Sequence, residues 1–539
     1  MERIDVISMR DFSKEQIISI LDVAADVKKA LHDSAFHEVF REKYGYYVNE
    51  LLKELKVATL FLENSTRTNH SFRAAVLSGG GSFDGFPSAN YTSLKKGETW
   101  ADTAAMFAGY GYDAIVMRST TEGLPRWTKH YLKKTHALMQ YQHHKLGLPF
   151  SSLVPMIVNG GDGKNQHPTQ CFLDLFTMRE IAKAHDCDLE GLNLALLNDL
   201  AHGRTNASLM SVAHHFNFTL HLAYPPRFGP QTHRLEMLKR NGVQIFDYQH
   251  DFKMAMRNSF IAYHSRPQKE RVGEGEDLIS IKKLGQINRK IYDELGENAP
   301  YLMHPLPVDA DTFEEIAADM REHPLNITKL QSSNGLPVRI ALLAIGLGRI
   351  KNILPDLTSV YGSHIVRLVD LSLKEKRKEL INPRSGYIEN NGIVLDHIPA
   401  GMGRRLAGIL GLEKNKIPKV ISDYIPVNDG KQPFKDIIKI HQKFNLGKEH
   451  YEAIALVAPD ISLSFVENGQ VVRKVRPVLG TMVKSRVKCG NPDCVTNIEK
   501  EHVNPRHYIL DDRKTLECYY CEHLDSIQKI YEENRFIYL

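Results

Sequence analysis

The sequence feature that most constrains the fold is a regular alternation of short apolar runs and amphipathic stretches between about residue 57 and residue 310. The apolar runs have the length of buried strands, and the stretches between them have the length and period of helices. Strand–helix alternation predicts parallel sheets covered by helices. Because a 539-residue chain is too long for one core, we expect two successive α/β domains here. The predicted strands are VATLFL, YDAIVMRS, VPMIVNGG, LNLALLNDL, FTLHLAYP, VQIFDYQ, NSFIAYHS and YLMHPLP.

The C-terminal part of the chain has a different pattern. A helix over 336–355 is expected to end the α/β section, and the polar, charged segment 356–388 is typical of a linker. Residues 389–480 mix period-two alternation, as in VENGQVVRKVRP with its Asn-Gly turn, with patterns interpreted as helical, such as FKDIIKIHQKF. An α+β domain is therefore expected there, followed by a small cysteine-containing β domain over 481–539.

Composition excludes several classes of protein. Hydrophobic content of 42% and charged content of 25% are ordinary globular values. A net charge of +5 on 61.2 kDa does not call for nucleic acid or an anionic membrane. The N-terminus is charged from its second residue, and the apolar run IALLAIGLG has only nine residues. We expect a cytoplasmic protein with neither a membrane nor a nucleic-acid partner.

Four of the six cysteines form the pattern C-x4-C-x23-C-x2-C near the C-terminus. Paired thiolates with short inner spacings predict a closed tetrahedral site for one structural Zn²⁺ per chain, with no open position for catalysis. A zinc ribbon that binds nucleic acid is the alternative, although the segment lacks a dense basic stripe interleaved with aromatic residues. The predicted zinc ligands are Cys489, Cys494, Cys518 and Cys521.

The stretch VATLFLENSTRTNHSFRAAVLSGGG predicts an anion site. A buried strand ends, Ser65 and Thr66 provide N-cap residues, and Gly79 closes the helix. Free N–H groups at the helix N-terminus, two hydroxyls and the guanidinium of Arg67 suit a phosphate dianion. The alternative is an ordinary capped helix.

Two more loops are candidates for function. YTSLKKGETWADT places Ser93 and Lys96 in a cationic loop, which alone is also typical of a solvated turn. NGGDGKNQHPTQ places His167 between a strand and a Pro-initiated helix that contains Gln170. Ligands of α/β sheets bind at the carboxyl ends of strands, which favours a binding role for His167 over a structural one.

Basic residues recur after later strands. Arg204 begins a helix in NDLAHGRTNASL, and Arg266, Gln268 and Arg271 follow a strand in YHSRPQKERV. Planar guanidinium groups suit carboxylates and phosphates, although each arginine could instead form a surface ion pair. Their recurrence at the ends of strands favours one shared site.

The motifs STRT, SLKKGET, HPTQ, HGRT, RPQKER and HPLP, in this order over residues 1–355, resemble the aspartate carbamoyltransferase catalytic chain. From residue 389, GIVLDHIPAGMGRRL, KDIIKI, VVRKVRP and the cysteines resemble the regulatory chain of the same enzyme. The resemblance implies a fusion with the catalytic part first. It implies a carbamoyl-phosphate-binding domain over 1–163, with helix 336–355 packed back on it, an aspartate-binding domain over 164–335, a nucleotide-binding regulatory domain over 389–480 and a zinc-binding domain over 481–539.

The implied reaction transfers the carbamoyl group of carbamoyl phosphate to L-aspartate, the committed step of de novo pyrimidine biosynthesis. The residues implied in catalysis are Arg67, Thr68, Lys96, Arg118 and His167. The further residues implied in substrate binding are Ser65, Thr66, Ser93, Gln170, Arg204, Arg266, Gln268, Leu306 and Pro307. The resemblance also implies that Ser93 and Lys96 come from a neighbouring subunit of a catalytic trimer, and that Glu63 pairs with Arg204 and Arg271 when the domains close.

For the regulatory part, the resemblance implies a site for effectors such as ATP, CTP and UTP. Read without the resemblance, the same residues would be a solvated basic face. The implied nucleotide ligands are Asp396, His397, Lys435, Lys439 and Lys474.

Two positions depart from the family pattern: Asn69 and Val308 stand where arginines are usual. They affect expected subunit or domain-closure contacts more than the chemistry. An ornithine carbamoyltransferase is the alternative within the class, but it would be expected to carry a cysteine at Pro305 and an acidic motif in place of SRPQKER. A catalytically silent scaffold is disfavoured because the ligand positions are intact.

Overall fold

The computed structural model describes residues 3–88, 96–150, 153–268, 285–309, 311, 313–351, 366–368, 388–427 and 433–537. The chain forms two compact units, of which the first contains Met1–Leu357 and the second contains nearly all of the rest. Across these described ranges, no helix combines the length and apolar character needed to cross a membrane.

The first sheet of the first unit is parallel, in the order β2-β1-β3-β4. Its strands are β1 (Lys56–Phe61), β2 (Ser82–Phe86), β3 (Ala114–Ser119) and β4 (Met156–Asp162). The edge strand β2 was not predicted, because its sequence SFDGF is short and largely exposed. Gly85 is required there, since it has φ +113° and a Cβ would lie 2.2 Å from the Thr59 carbonyl oxygen.

The second sheet is also parallel, in the order β7-β6-β5-β8-β9. The two parallel α/β sheets predicted from the alternation are therefore confirmed, and each of the eight predicted strands is present. The strands of the second sheet are β5 (Asn193–Asn198), β6 (Thr219–Ala223), β7 (Gln244–Asp247), β8 (Ile261–Ser265) and β9 (Tyr301–Met303).

Helices connect these strands and cover the sheets. The helices of the first unit are α1 (Lys14–His32), α2 (His37–Tyr44), α3 (Thr66–Ser78), α4 (Trp100–Gly109), α5 (Leu124–Leu146), α6 (Pro168–Ala184), α7 (Arg204–Val212), α8 (Thr232–Arg240), α9 (Phe252–Arg257), α10 (Arg289–Leu295), α11 (Thr328–Ser333) and α12 (Gly335–Gly346). Helix α12 packs against α1, α3 and α6. The prediction that this helix extends over 336–355 was wrong: it ends at Gly346, and Gly348 then takes a positive φ of 73°.

The second unit begins with an antiparallel sheet in the order β10-β15-β14-β11-β13-β12. Its strands are β10 (Val366–Leu368), β11 (Gly392–Pro399), β12 (Lys419–Pro426), β13 (Phe434–Ile440), β14 (Ser462–Glu467) and β15 (Gln470–Pro477), and its helices are α13 (Gly403–Ile409) and α14 (Lys448–Val457). The predicted Asn-Gly turn joins β14 to β15, with positive φ at Asn468 and Gly469.

Two parts of this region differ from the sequence interpretation. FKDIIKIHQKF was interpreted as helical, but its first seven residues form β13, where Asp436, Ile438 and Ile440 are buried in alternation. Burial of one sheet face favours this period of two over the helical alternative. The expected linker 356–388 contains strand β10, which pairs with β15, and most of its other residues lie outside the described ranges.

The last sheet has the order β16-β17-β18-β19 and is followed by a short helix. These elements are β16 (Met482–Lys484), β17 (Arg506–Ile509), β18 (Thr515–Cys518), β19 (Leu524–Ser526) and α15 (Ile527–Glu532). One hydrophobic core runs through the second unit: it contains Ile393, Ile438 and Leu463 of the larger sheet together with Leu516 and Ile530. The two predicted regulatory domains thus share a continuous core.

Candidate active site

A cavity of about 690 Å³ lies in the first unit, where strands of both parallel sheets end. Most of the predicted substrate residues line it, although they are far apart in sequence. The predicted residues in its lining are Glu63, Ser65, Thr66, Arg67, Thr68, Arg118, His167, Gln170, Arg204, Arg266, Gln268, Leu306 and Pro307.

Three predicted residues are not in this group. Ser93 and Arg271 lie outside the described residues. Lys96 is described and exposed, and it does not line the cavity of its own chain.

One end of the cavity is the N-terminus of α3. Ser65 directly follows the β1 loop with extended backbone, and its side chain makes no cap hydrogen bond to the helix. The first N–H groups of α3 therefore have no capping side chain, which suits a bound anion. Burial and the nearby Arg266 lower the pKa of Arg67. Asn69 is buried behind this end, where its amide donates to the Thr59 hydroxyl at 2.9 Å.

The middle of the cavity contains two arginines that share one carboxylate. Arg118 donates to Glu63 Oε1 at 3.0 Å and to the Gly160 carbonyl at 3.1 Å. Arg204 donates through both terminal nitrogens to Glu63, at 2.8 Å and 2.5 Å. Gly161 has a positive φ of 115°, and a Cβ there would lie 2.9 Å from Arg204 Nε and 3.2 Å from Arg118 Nη1, so a larger residue would strain the backbone and displace the two guanidinium groups. The contact between Glu63 and Arg118 was not predicted.

His167 lies near these arginines, directly before the first residue of α6. It is buried, and its backbone N–H donates to the Ser208 hydroxyl at 2.8 Å. Burial, followed by repulsion from Arg118, Arg204 and Arg339, holds the pKa of His167 well below its usual value. The imidazole is therefore neutral near pH 7, and it can donate one hydrogen bond without carrying a charge.

Loops after β8 and β9 form another wall of the cavity. Gln268 is fixed by a backbone hydrogen bond to Asp199 at 3.0 Å and by a side-chain bond to the His202 carbonyl at 2.8 Å. A cis peptide bond joins Leu306 to Pro307. Val308, the second departure from the family pattern, packs against the apolar cluster beneath the second sheet.

Sequence reasoning missed several residues that line the cavity, including Ser71, His304, Gln331 and Arg339. Arg339 had a detectable signal, because a charged residue inside the apolar run LPVRIALLAI needs a buried partner. Its Nη1 donates to Ser71 Oγ at 2.9 Å, and burial lowers its pKa to about 10. With Arg339 included, five arginines line the cavity: Arg67, Arg118, Arg204, Arg266 and Arg339.

The five predicted nucleotide residues lie in the larger sheet of the second unit. Lys435 binds Asp396 Oδ1 at 2.7 Å, and His397 Nδ1 lies 3.3 Å from Asp396 Oδ2. In the strand register, Lys439 is opposite Val394, Val394 is opposite Ser464, and Ser464 is opposite Lys474. Directly paired residues share a face of a sheet, so Lys439 and Lys474 lie on the face opposite the apolar core.

The four predicted zinc ligands come together. Their sulfur atoms lie within 4.8 Å of one another and all four residues are buried. Cys489 Sγ and Cys521 Sγ are 3.6 Å apart, and the backbone N–H of Asn491 donates to Cys489 Sγ at 3.5 Å. A tetrahedral ion with metal–sulfur bonds of about 2.3 Å would place sulfurs at about this separation. The donor set therefore fits a closed structural metal site.

Comparison with protein families identifies the class first. Residues 5–180 match the carbamoyl-phosphate-binding domain, and residues 190–345 the aspartate/ornithine-binding domain, of the aspartate/ornithine carbamoyltransferases. Residues 388–478 match the allosteric domain, and residues 481–531 the metal-binding domain, of the aspartate carbamoyltransferase regulatory chain.

Individual relatives narrow the class from the aspartate/ornithine carbamoyltransferases to the aspartate carbamoyltransferases. The aspartate carbamoyltransferase catalytic subunit of Thermococcus kodakarensis is 34% identical over 64% of this chain and 97% of its own length. Protein PyrBI of Treponema denticola is 27% identical over 97% of both chains. Among solved structures, the catalytic subunit of M. jannaschii aspartate transcarbamoylase has a TM-score of 0.51 and 31% identity, covering 63% of this chain and 96% of its own. The chain belongs to the aspartate carbamoyltransferase family, with the catalytic chain fused to the regulatory chain.

Proposed function

We propose that the protein transfers the carbamoyl group of carbamoyl phosphate to L-aspartate, giving N-carbamoyl-L-aspartate and phosphate, the committed step of pyrimidine biosynthesis. The observation that supports this most strongly is the cavity with five arginines, in which the N-terminus of α3 forms one end and the loops after β8 and β9 form another wall. One substrate brings a phosphate and the other two carboxylates, and such a cavity offers cationic partners to both.

In the phosphate half, Ser65, Thr66, Arg67 and Thr68 hold the phosphate at the α3 N-terminus. Arg118 reaches both the phosphate and the carbonyl oxygen of carbamoyl phosphate. Neutral His167 and the Thr68 hydroxyl donate hydrogen bonds to that carbonyl oxygen, and they stabilise the negative charge that develops on it.

In the aspartate half, Arg204, Arg266 and Gln268 bind the two carboxylates. Gln170 and the backbone carbonyls of Leu306 and Pro307 accept hydrogen bonds from the amine. These contacts place the neutral amine next to the carbonyl carbon, so much of the rate enhancement comes from orientation.

The chemical step needs no covalent enzyme intermediate. The amine nitrogen attacks the carbonyl carbon and forms a C–N bond, which gives a tetrahedral species. The C–O bond to phosphate then breaks, and the leaving phosphate takes a proton from the amine.

Further proposals concern assembly and regulation. Since Lys96 is exposed and lies outside its own cavity, a neighbouring subunit of a homotrimer would supply it together with Ser93. The polar face with Asp396, Lys435 and Lys439 would bind the phosphates and base of a nucleotide such as ATP, CTP or UTP. The four cysteines would hold one Zn²⁺, whose role is structural because thiolates fill all four positions.

Ornithine is the competing second substrate. Its side chain ends in an ammonium group rather than a carboxylate, and the cations of Arg204 and Arg266 would repel this group. The cavity therefore favours aspartate.

The test measures product formation by the full-length chain with carbamoyl phosphate and either L-aspartate or L-ornithine. We expect N-carbamoyl-L-aspartate with aspartate and no citrulline with ornithine.

Arg266→Ala should reduce kcat/KM for aspartate by about a hundredfold, as expected for loss of a charge-assisted contact of about 2–3 kcal/mol. Arg240→Ala, at an exposed residue that ends α8 and lies outside the cavity lining, is the matched control and should leave kcat/KM unchanged. Turnover with ornithine, or none with aspartate, would overturn the proposal.

A further inference from the structure

A buried carboxylate behind the cavity connects three of its walls. Asp174 lies on α6 one turn after Gln170 and is fully buried. Its Oδ1 accepts hydrogen bonds from Gln170 Nε2 at 3.0 Å and from Gln331 Nε2 at 2.7 Å. Its Oδ2 accepts a hydrogen bond from the Tyr263 hydroxyl at 2.8 Å. One side chain thereby joins α6, α11 and β8.

Each of these donors leads to a group that faces the aspartate half of the cavity. Gln170 itself lines the cavity. Gln331 Oε1 accepts from the backbone N–H of His304 at 2.8 Å, and His304 Nδ1 accepts from the backbone N–H of Leu306 at 2.8 Å. The hydroxyl of Tyr263 also lies near the side chain of Thr205, which lines the cavity next to Arg204.

The direction of these hydrogen bonds determines which way the side-chain amides of Gln170 and Gln331 are turned. In its ionised form the Asp174 carboxylate accepts only, and Gln170 and Gln331 then both turn their NH₂ groups towards it. The oxygen of Gln170 is then left as an acceptor, which is what a substrate amine requires. The oxygen of Gln331 is left to hold His304, which in turn holds the backbone at Leu306. An asparagine at position 174 would present an NH₂ donor in place of one carboxylate oxygen. At least one of the partners Gln170, Gln331 and Tyr263 would then have to change its orientation.

The electrostatic cost of this arrangement is high. Burial raises the pKa of Asp174 to about 7, with partial compensation from its hydrogen-bond donors and from the charge of Arg339. Carboxyl groups perturbed in this way concentrate at functional sites, where position matters more than stability.

We propose that Asp174 is a positioning residue for the second substrate: it orients the Gln170 amide as an acceptor for the aspartate amine and, through Gln331 and His304, sets the position of the Leu306 carbonyl. Asp174 does not itself touch substrate. This role rests on the proposed carbamoyl transfer to aspartate. The phosphate end, formed by Ser65–Thr68, is not joined to Asp174 by these hydrogen bonds, so the effect should be confined to aspartate.

The test is steady-state kinetics of Asp174→Asn in the full-length chain, with each substrate varied in turn. We expect KM for aspartate to rise by about tenfold, the size expected from loss of a hydrogen bond made by a charged group, with KM for carbamoyl phosphate within about twofold of wild type. The matched control is Glu180→Gln. Glu180 is also on α6 and accepts from Asn334 at 2.7 Å, but it does not line the cavity, and both KM values should stay unchanged.

A second variant keeps the test decisive if Asp174→Asn does not fold. Gln331→Met breaks the connection to His304 while Asp174 remains, and it should also raise KM for aspartate alone. An unchanged KM for aspartate in the folded variants, or an equal rise for both substrates, overturns the positioning role. Absence of carbamoyl transfer by the wild-type chain would instead refute the proposed function, so the two failures are distinguishable.

Discussion

At the scale of single residues, Glu63 offsets part of the positive charge of the cavity when no substrate is bound. Both of its carboxylate oxygens accept hydrogen bonds from Arg118 and Arg204, the arginines to which we assign substrate binding. The carboxylate offsets repulsion between two guanidinium groups in a partly buried site, and it fixes their orientation. Under the proposed function, an incoming phosphate or carboxylate would compete with Glu63 for these donors.

We predict that Glu63→Gln binds inorganic phosphate more tightly but turns over more slowly. The neutral amide competes less for the arginines, so the dissociation constant for phosphate should fall, while loss of arginine orientation should lower kcat by about tenfold. Phosphate product inhibition and kcat are measured together, with Glu63→Asp as the variant that keeps the charge but shortens the reach. Unchanged kcat, or weaker phosphate binding, would contradict this role.

A residue could be predicted when its role depends on its neighbours in the sequence, and not when its role depends on a contact with a distant residue. Ser65 and Thr66 could be predicted because strand, cap and helix are adjacent in the chain. Gln331 and Asp174 could not, because their contact joins residues 157 positions apart. Such pairs become visible only when the helices have packed.

At the scale of elements, the predicted strands were those whose burial gives a strong signal. The eight apolar runs predicted as strands all formed parallel strands, since both faces of such sheets are covered by helices. The polar edge strand β2 gave no such signal, and β13 was mistaken for a helix because its charged residues obscured the alternation. Pairing with the neighbouring strands β11 and β12 determines the extended conformation of β13.

The segment that includes Lys96 should act across a subunit interface. We predict that inactive Arg67→Ala and Lys96→Ala proteins, dissociated, mixed and reassembled, regain partial activity, because some sites in the hybrid would combine an intact Arg67 with an intact Lys96. Specific activity is measured before and after reassembly, and each variant reassembled alone is the control. Mixed assemblies that remain at the level of the two parents would show that Lys96 acts within its own chain.

At the scale of the whole molecule, the chain combines a first unit with its own large core and cavity and a second unit with a separate core. The second core includes residues from both the larger sheet and the cysteine-containing sheet, such as Ile438 and Leu516. A bound structural zinc can contribute on the order of 10 kcal/mol to folding. Loss of metal should therefore disturb the proposed nucleotide face, while the first unit keeps its cavity.

In the proposed function, one chain joins a carbamoyl-transfer unit, whose turnover does not require the second unit, to a metal-dependent nucleotide-sensing unit. The most direct test measures turnover at saturating carbamoyl phosphate and aspartate, with titrations of ATP, CTP and UTP, before and after zinc removal. Cys518→Ser provides the same loss without a thiol reagent, and Cys187→Ser, which changes an exposed cysteine outside the cluster, is the control. We predict substantial basal turnover in all forms and a nucleotide response only with zinc. Loss of basal turnover together with the metal, in protein that remains folded, would contradict the account.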